Sequence, residues 1–316
     1  MTTPSRLAGA ILAASLGASI GAAPALASDF PTDEITILVP FAPGGGVDTT
    51  NRIIADAANN LGLVGDQRLV VTNNSNTVVA QASVAQAPPD GYTVLGMTSS
   101  IVTNPKLQSV PFSVADFRPV ALYSIEYTVV AVPTDSPLQT MEDFITAATE
   151  GEVTMVTSGT GTSHNMSGLS LQARGGLNLN IINIAAFGEQ VQQIAGGHVQ
   201  AALWPFGAAR AQVEAGTARI LGSASRERLP GFEDVPTWAE AGLDIAEFTT
   251  FRGWGVPRDT PDEVVEFLAG ILEALSENED YVERMEQGGS PVAFAGPEGF
   301  AEVIAIYDVL TDEILN

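Results

Sequence analysis

Ser158-Gly159-Thr160-Gly161-Thr162-Ser163-His164 puts hydroxyls, glycines and a histidine into one short turn. Val39-Pro40-Phe41-Ala42-Pro43-Gly44-Gly45-Gly46-Val47-Asp48 has the same character, with a carboxylate in place of the histidine. Each run follows an apolar stretch and leads into a helical pattern. Such a turn offers unpaired backbone N–H groups at the positive end of a helix, where a small anion is well held. Two of them, more than a hundred residues apart, predict two lobes closing on one ligand.

Other chemistry fits less well. The first turn lacks the Lys-Ser/Thr ending of a nucleotide phosphate loop and the G-x-G-x-x-G spacing of a dinucleotide site. The second has Gly159-x-Gly161 but then His164, and fails the same test. The chain has two histidines, His164 and His198, and no cysteine. Their separation does not read as a metal motif. No Gly-x-Ser-x-Gly elbow is present, and no base and orienting acid are tied to Ser158 or Ser163. His164 stands at a helix start, where the dipole favours the neutral ring. It either contacts ligand or belongs to the helix cap. Asp48 either caps the helix after Gly46 or aims at a polar ligand atom. Phe41, inside the turn, either lines the cleft or joins the core, as do Phe187, Trp204, Phe206, Phe251 and Trp254. Acidic pairs such as Glu142-Asp143 and Asp262-Glu263 sit at helix starts and serve the dipole.

The elements that must carry these turns alternate. Strands are expected at 35–39, 68–72, 92–97, 127–132, 152–157, 181–185, 199–204 and 219–223. Helices are expected at 49–61, 141–149, 164–174, 189–195, 208–214, 261–276 and 297–315. This order indicates parallel sheets with helices on both faces, and ligands then sit outside the carboxyl ends of the strands. Chain crossings are expected at Ala131–Pro137 and near Phe248–Pro257. The first lobe is then discontinuous, 28–130 plus 252–316, and the second is 131–251.

At 316 residues the chain has room for two domains. Its formal charge of −24 repels nucleic acid and anionic membrane, so neither is an expected partner. The N-terminus reads as a cleaved secretory leader over 1–27: Arg6, an Ala-rich apolar stretch from Leu7 to Ile20, and Ala25-Leu26-Ala27. Cleavage before Ser28 removes Arg6 and takes the mature charge from −24 to −25. A secreted chain without cysteine depends on its core alone.

With these residues in view, the chain resembles the extracytoplasmic solute receptors of tripartite tricarboxylate transporters, the TctC or Bug family. Ile35–Asp48 looks like that family's opening strand and ligand loop. Pro89-Asp90-Gly91-Tyr92-Thr93-Val94-Leu95 is similar to its Asp-Gly-Tyr-Thr strand start, and Asp116-Phe117-Arg118-Pro119-Val120 to its later pattern. Ser158–His164 resembles the second ligand loop. Arg226-Glu227-Arg228-Leu229-Pro230 with Val235–Gly242 looks like the Pro-Thr-x-x-Glu-x-Gly segment. The resemblance runs over nearly the whole mature chain.

It implies a two-lobed α/β periplasmic binding protein, type II-like. Each lobe would be a mostly parallel sheet flanked by helices, with the ligand cleft between them. It also implies a small organic acid as ligand, a di- or tricarboxylate or an aromatic carboxylate, gripped by loop N–H groups and water rather than by a buried arginine. The implied role is delivery to the transporter's membrane permease, by a monomer working in the periplasm through hinge closure, with no cofactor, metal or catalysis. On this reading Phe41, Gly44, Gly45, Gly46, Asp48, Thr98 and Ser99 line one side of the site. Ser158, Thr160, Gly161, Thr162, Ser163, His164 and Phe187 line the other. A sensor presenting its ligand to a membrane kinase is the alternative, and a secreted enzyme a distant third. Departures from the family pattern matter for the ligand. Asn73-Asn74-Ser75-Asn76-Thr77-Val78-Val79 replaces a glycine-rich stretch, Ala186-Phe187-Gly188 a Tyr-Lys-Gly segment, and Gln200 an aspartate. They point to a more apolar and less charged second-lobe wall.

Overall fold

Alternating burial sets the first strand, β1 (Ile35–Val39), whose Ile35, Ile37 and Val39 are fully enclosed. Pro40 and three glycines then break the extended chain, and α1 (Gly46–Asn60) begins. The same step repeats through β2 (Leu69–Asn73), α2 (Thr77–Ala85), β3 (Thr93–Thr98) and α3 (Ser100–Leu107). A long strand, β4 (Phe117–Glu126), leads to β5 (Thr128–Pro133). There follow α4 (Met141–Glu150), β6 (Val153–Thr157), α5 (Ser163–Ala173), β7 (Leu179–Asn183) and α6 (Phe187–Ala195). β8 (Ala201–Pro205), α7 (Phe206–Glu214) and β9 (Ala218–Ser223) complete that half. The chain ends with β10 (Thr250–Pro257), α8 (Asp262–Ser276), α9 (Glu279–Gln287), β11 (Val292–Ala295) and α10 (Pro297–Leu315). The computed structural model describes residues 30–184, 186–243, 245 and 248–315. The leader expected over 1–27, and Ala185 at the end of an expected strand, lie outside the described residues.

Two sheets result, β11-β4-β10-β3-β1-β2 and β7-β6-β8-β5-β9. They are mixed rather than mostly parallel. β1, β2 and β3 run parallel, as do β6, β7 and β8. β10 runs antiparallel to β3 and β4, and β5 antiparallel to β8 and β9. The reason is topological: β5 and β10 bring the chain across from the other sheet and enter against the direction of the parallel set. The first crossing falls at Tyr127, between β4 and β5, rather than at Ala131–Pro137, because β5 already belongs to the second sheet.

The two crossovers are laced together. Thr250 of β10 lies opposite Glu126 of β4. Thr128 Oγ1 donates to the Phe248 carbonyl at 3.4 Å, and Ser167 Oγ on α5 donates to Thr128 Oγ1 and the Phe248 carbonyl, both at 3.3 Å. The apolar core is continuous across this seam. Met166 of α5 packs in one cluster with Phe248, Phe251, Phe300 and Tyr307. α10 is further tied to α5 by an Arg174–Glu313 ion pair.

Candidate functional site

Both glycine turns leave the carboxyl ends of parallel strands, β1 and β6, and each is closed by the same device. The N–H of Gly44, at φ +84°, donates to Asp48 Oδ2 at 2.8 Å. The N–H of Gly161, at φ +78°, donates to Asn165 Oδ1 at 3.0 Å. Only glycine adopts this backbone readily, and the bond reaches the side chain four residues on in both cases. These two N–H groups are therefore engaged within the protein and are not open anion donors.

Asp48 resolves to a brace of the first turn. It is buried, and besides the Gly44 N–H it accepts from Arg52 Nε at 3.0 Å and Asn73 Nδ2 at 2.9 Å. Burial pushes its carboxyl up, but Arg52, the Gly44 N–H and Asn73 outweigh that and hold it below the usual carboxylate range. Asn73 also donates to the Phe41 carbonyl at 3.2 Å, and Thr77 Oγ1 to the Pro40 carbonyl at 2.8 Å. The polar stretch that replaces the glycine-rich segment thus holds the first turn by its back. Asn76 caps α2 through the Val79 N–H. What stays open is the head of α1, whose N-cap residue Gly45 provides no side-chain cap. Asn51 anchors this helix, accepting from Trp254 Nε1 at 2.8 Å and donating to the Tyr123 hydroxyl at 3.0 Å.

The second turn rests on a polar network. Thr162 caps α5 through the Asn165 N–H. Asn165 Nδ2 donates to Asn183 Oδ1 at 2.9 Å, and Asn183 Nδ2 to Thr160 Oγ1 at 3.2 Å. Ser158 Oγ shares a 3.0 Å hydrogen bond with His164 Nδ1, and Thr250 Oγ1 lies 3.3 Å from His164 Nε2. Ser163 Oγ bonds Thr250 as well. Burial, and then the positive charge of Arg252, hold the ring's pKa down to about 3. His164 is neutral at any ordinary pH and too weak a base to activate Ser158.

The second turn also meets the first sheet's helices. Thr103 Oγ1 of α3 donates to the Gly161 carbonyl at 2.6 Å. Thr98 Oγ1 lies 2.9 Å from Ser100 Oγ, and Ser99 is the uncapped N-cap residue of α3. Gly161, Ser163 and His164 are thus gathered where the halves touch, with Thr98 and Ser99 at the head of the helix that carries Thr103. Phe187 stands apart, its ring edge-on to Trp204 at 5.3 Å. Gln200 has no part in a cleft wall. Its Oε1 accepts the Thr154 N–H at the amino ends of β6 and β8, the opposite edge from the turns. A hollow of about 330 Å³ lined by Gln139, Met141, Ile220 and Glu240 involves neither turn.

Sequence reading missed Glu126 and Arg252. They form a 2.9 Å ion pair, with both side chains over nine-tenths buried, joining the end of β4 to β10. Glu126 Oε1 also accepts the Gly207 N–H of α7 at 3.1 Å. Arg252 lies against Gly46, where a Cβ would stand 2.9 Å from Nη2. Local patterning carries no trace of a pair formed across 126 residues.

Two α/β halves joined by paired crossovers, each with a glycine turn at the carboxyl end of a parallel strand, have the architecture of a solute-binding protein. The chain belongs to the tripartite tricarboxylate transporter family receptors, whose model matches residues 52–305. It is 33% identical over 282 residues to the UPF0065 protein in the tcbD-tcbE intergenic region of Pseudomonas sp. (strain P51), covering 87% of this chain and 83% of that one. A TctC solute binding protein from Polaromonas is 26% identical with a TM-score of 0.77, over 91% of this chain and 99% of that structure. R. palustris Rpa4515 with adipate is 24% identical with a TM-score of 0.79, over 90% and 97%, which is a likeness of fold.

Proposed function

We propose that this receptor captures a small organic carboxylate in the periplasm and passes it to the membrane permease of a tripartite transporter, making and breaking no bond. The observation that carries this reading is the pair of equivalent glycine turns, one per sheet, set beside the heads of α1 and α3, whose N-cap residues make no side-chain cap. Adipate in a protein of the same fold supports the ligand class. On this reading one lobe carries β1–β4 with β10 and β11 and the other β5–β9, a division that the sheet membership of the strands supports. Phe41, Gly45, Gly46, Thr98 and Ser99 face ligand from one, and Ser158, Thr160, Thr162, Ser163 and His164 from the other. Ligand touches both lobes only when they close, so binding shifts the population towards the closed state.

Thermal unfolding of the secreted, mature protein with citrate, succinate, malate, adipate, benzoate, glutamate and neutral controls tests this. A ligand at a hundred times its dissociation constant adds about 2.7 kcal/mol. Stabilisation by one acid but not by its methyl ester is the expected result. No shift with any acid would defeat the carboxylate reading.

A further inference from the structure

Arg252 stands where the first turn meets both crossovers. Its side chain is 8% exposed. Nη2 donates to Glu126 at 2.9 Å and Nη1 to Ser290 Oγ at 2.6 Å, while the enclosed Nε has no hydrogen-bond partner. Interior donors of this kind are nearly always bonded, and a charged one the more so. The same guanidinium packs against the opening residue of α1. A Cβ on Gly46 would lie 2.9 Å from Nη2 and 4.0 Å from Nε. The positive charge of Arg252 is also felt at His164 in the second turn.

Glu126 is shared between this guanidinium and a second partner. Its second oxygen is committed to the Gly207 N–H at the head of α7, where it also answers that helix's dipole. Thr250, two residues before Arg252, already reaches Ser163 and His164. One strand therefore presents a hydroxyl to the second turn and a cation to the first.

We propose that Arg252 is the counter-charge of the ligand: one carboxylate group sits at the head of α1 and takes the Arg252 Nε edge, while Glu126 and Ser290 hold the guanidinium still. This rests on the carboxylate reading above and adds a side-chain cation to a site otherwise built of N–H groups and hydroxyls. It also accounts for anion capture by a protein whose mature charge is −25, counted from −24 by the loss of Arg6.

Titration calorimetry on the mature protein tests it, with succinate, citrate, adipate and benzoate and the methyl ester of each. E126Q/R252Q removes both charges and leaves neutral amides in place of the pair. Its affinity for the acid should fall about tenfold or more, and the preference for acid over ester should shrink towards one. R252K keeps the charge but not the planar fork, and should lose affinity severalfold while unfolding near the wild-type temperature. R252K also decides the matter if the double variant does not fold. Unchanged affinity in either folded variant overturns the assignment, as does an equal loss for acid and ester, which would make Arg252 a brace between the crossovers. Wild-type protein that binds none of the acids overturns the carboxylate reading and this proposal with it.

Discussion

Thr103 Oγ1 and the Gly161 carbonyl are joined by a 2.6 Å hydrogen bond between α3 and the second glycine turn. Both residues are buried, and a Cβ on Gly161 would come within 2.8 Å of Leu107 Cδ1. Thr103→Val leaves that carbonyl unbonded and should cost about 1–3 kcal/mol of stability by chemical denaturation. Gly161→Ala adds a strained positive φ to the clash and should cost at least as much. Wild-type stability in both variants would show that the turn tolerates separation from α3.

Gly45 and Gly46 are adjacent but unequal. A Cβ on Gly45 meets only the Ala42 carbonyl at 3.7 Å, whereas one on Gly46 meets the held guanidinium of Arg252 at 2.9 Å. Gly46→Ala should destabilise by about 1–3 kcal/mol through overpacking, and Gly45→Ala by well under 1 kcal/mol. Equal melting temperatures would contradict this placement of Arg252.

Asp48→Asn tests the brace of the first turn. The carboxyl's folded pKa is lowered, so its contribution is present above the unfolded value near 3.8 and is lost as pH falls through the folded one. The variant should be less stable than wild type at pH 7 by about 1–2 kcal/mol, and the gap should close as the carboxyl becomes protonated in the folded protein. A gap that persists in acid would mean that shape, not charge, carries the effect.

His164 gives a different window. With the ring held to about 3 against an ordinary 6.5, the unfolded chain takes up a proton that the folded one refuses. Stability should therefore drop by up to ~1.4 kcal/mol per unit as pH falls below 6.5. His164→Gln should flatten that slope between pH 6 and 4.5, read as unfolding midpoint against pH. Parallel slopes in the two proteins would refute a neutral, enclosed ring.

The acidic surface bears on rate rather than fold. A dicarboxylate approaching a protein of formal charge −24 or lower is repelled at long range, and salt screens that repulsion. The association rate measured by stopped flow should rise between 10 and 150 mM salt. A falling rate would point to a cationic funnel at the cleft mouth.

The sequence made the turns legible because glycine, proline and capping residues act locally. α5, expected at 164–174, spans Ser163–Ala173, and β1 matches its expected bounds. β4 was not foreseen as a strand: Pro119 interrupts its run, and its ten residues are held by pairing with β10 and β11. α3 carries Pro105 and β-branched residues that argue against a helix, yet it forms where the sheet and α10 bury it. The mixed sheet directions, the engaged N–H groups of Gly44 and Gly161, and the Glu126–Arg252 pair all depend on partners brought from far along the chain. No local pattern encodes them.

The lacing of the two crossovers has a mechanical consequence. Separate connectors would let the halves twist and slide as well as tilt. Here β4 and β10 lie side by side, Thr128 and Ser167 pin Phe248 between them, and the Met166–Tyr307 cluster with Arg174–Glu313 fills the rear. Twist and slide would both tear the seam. Of the three motions, tilt about the line of the seam is the one these contacts resist least, which would leave a single angle to tell a partner whether the halves are open or shut.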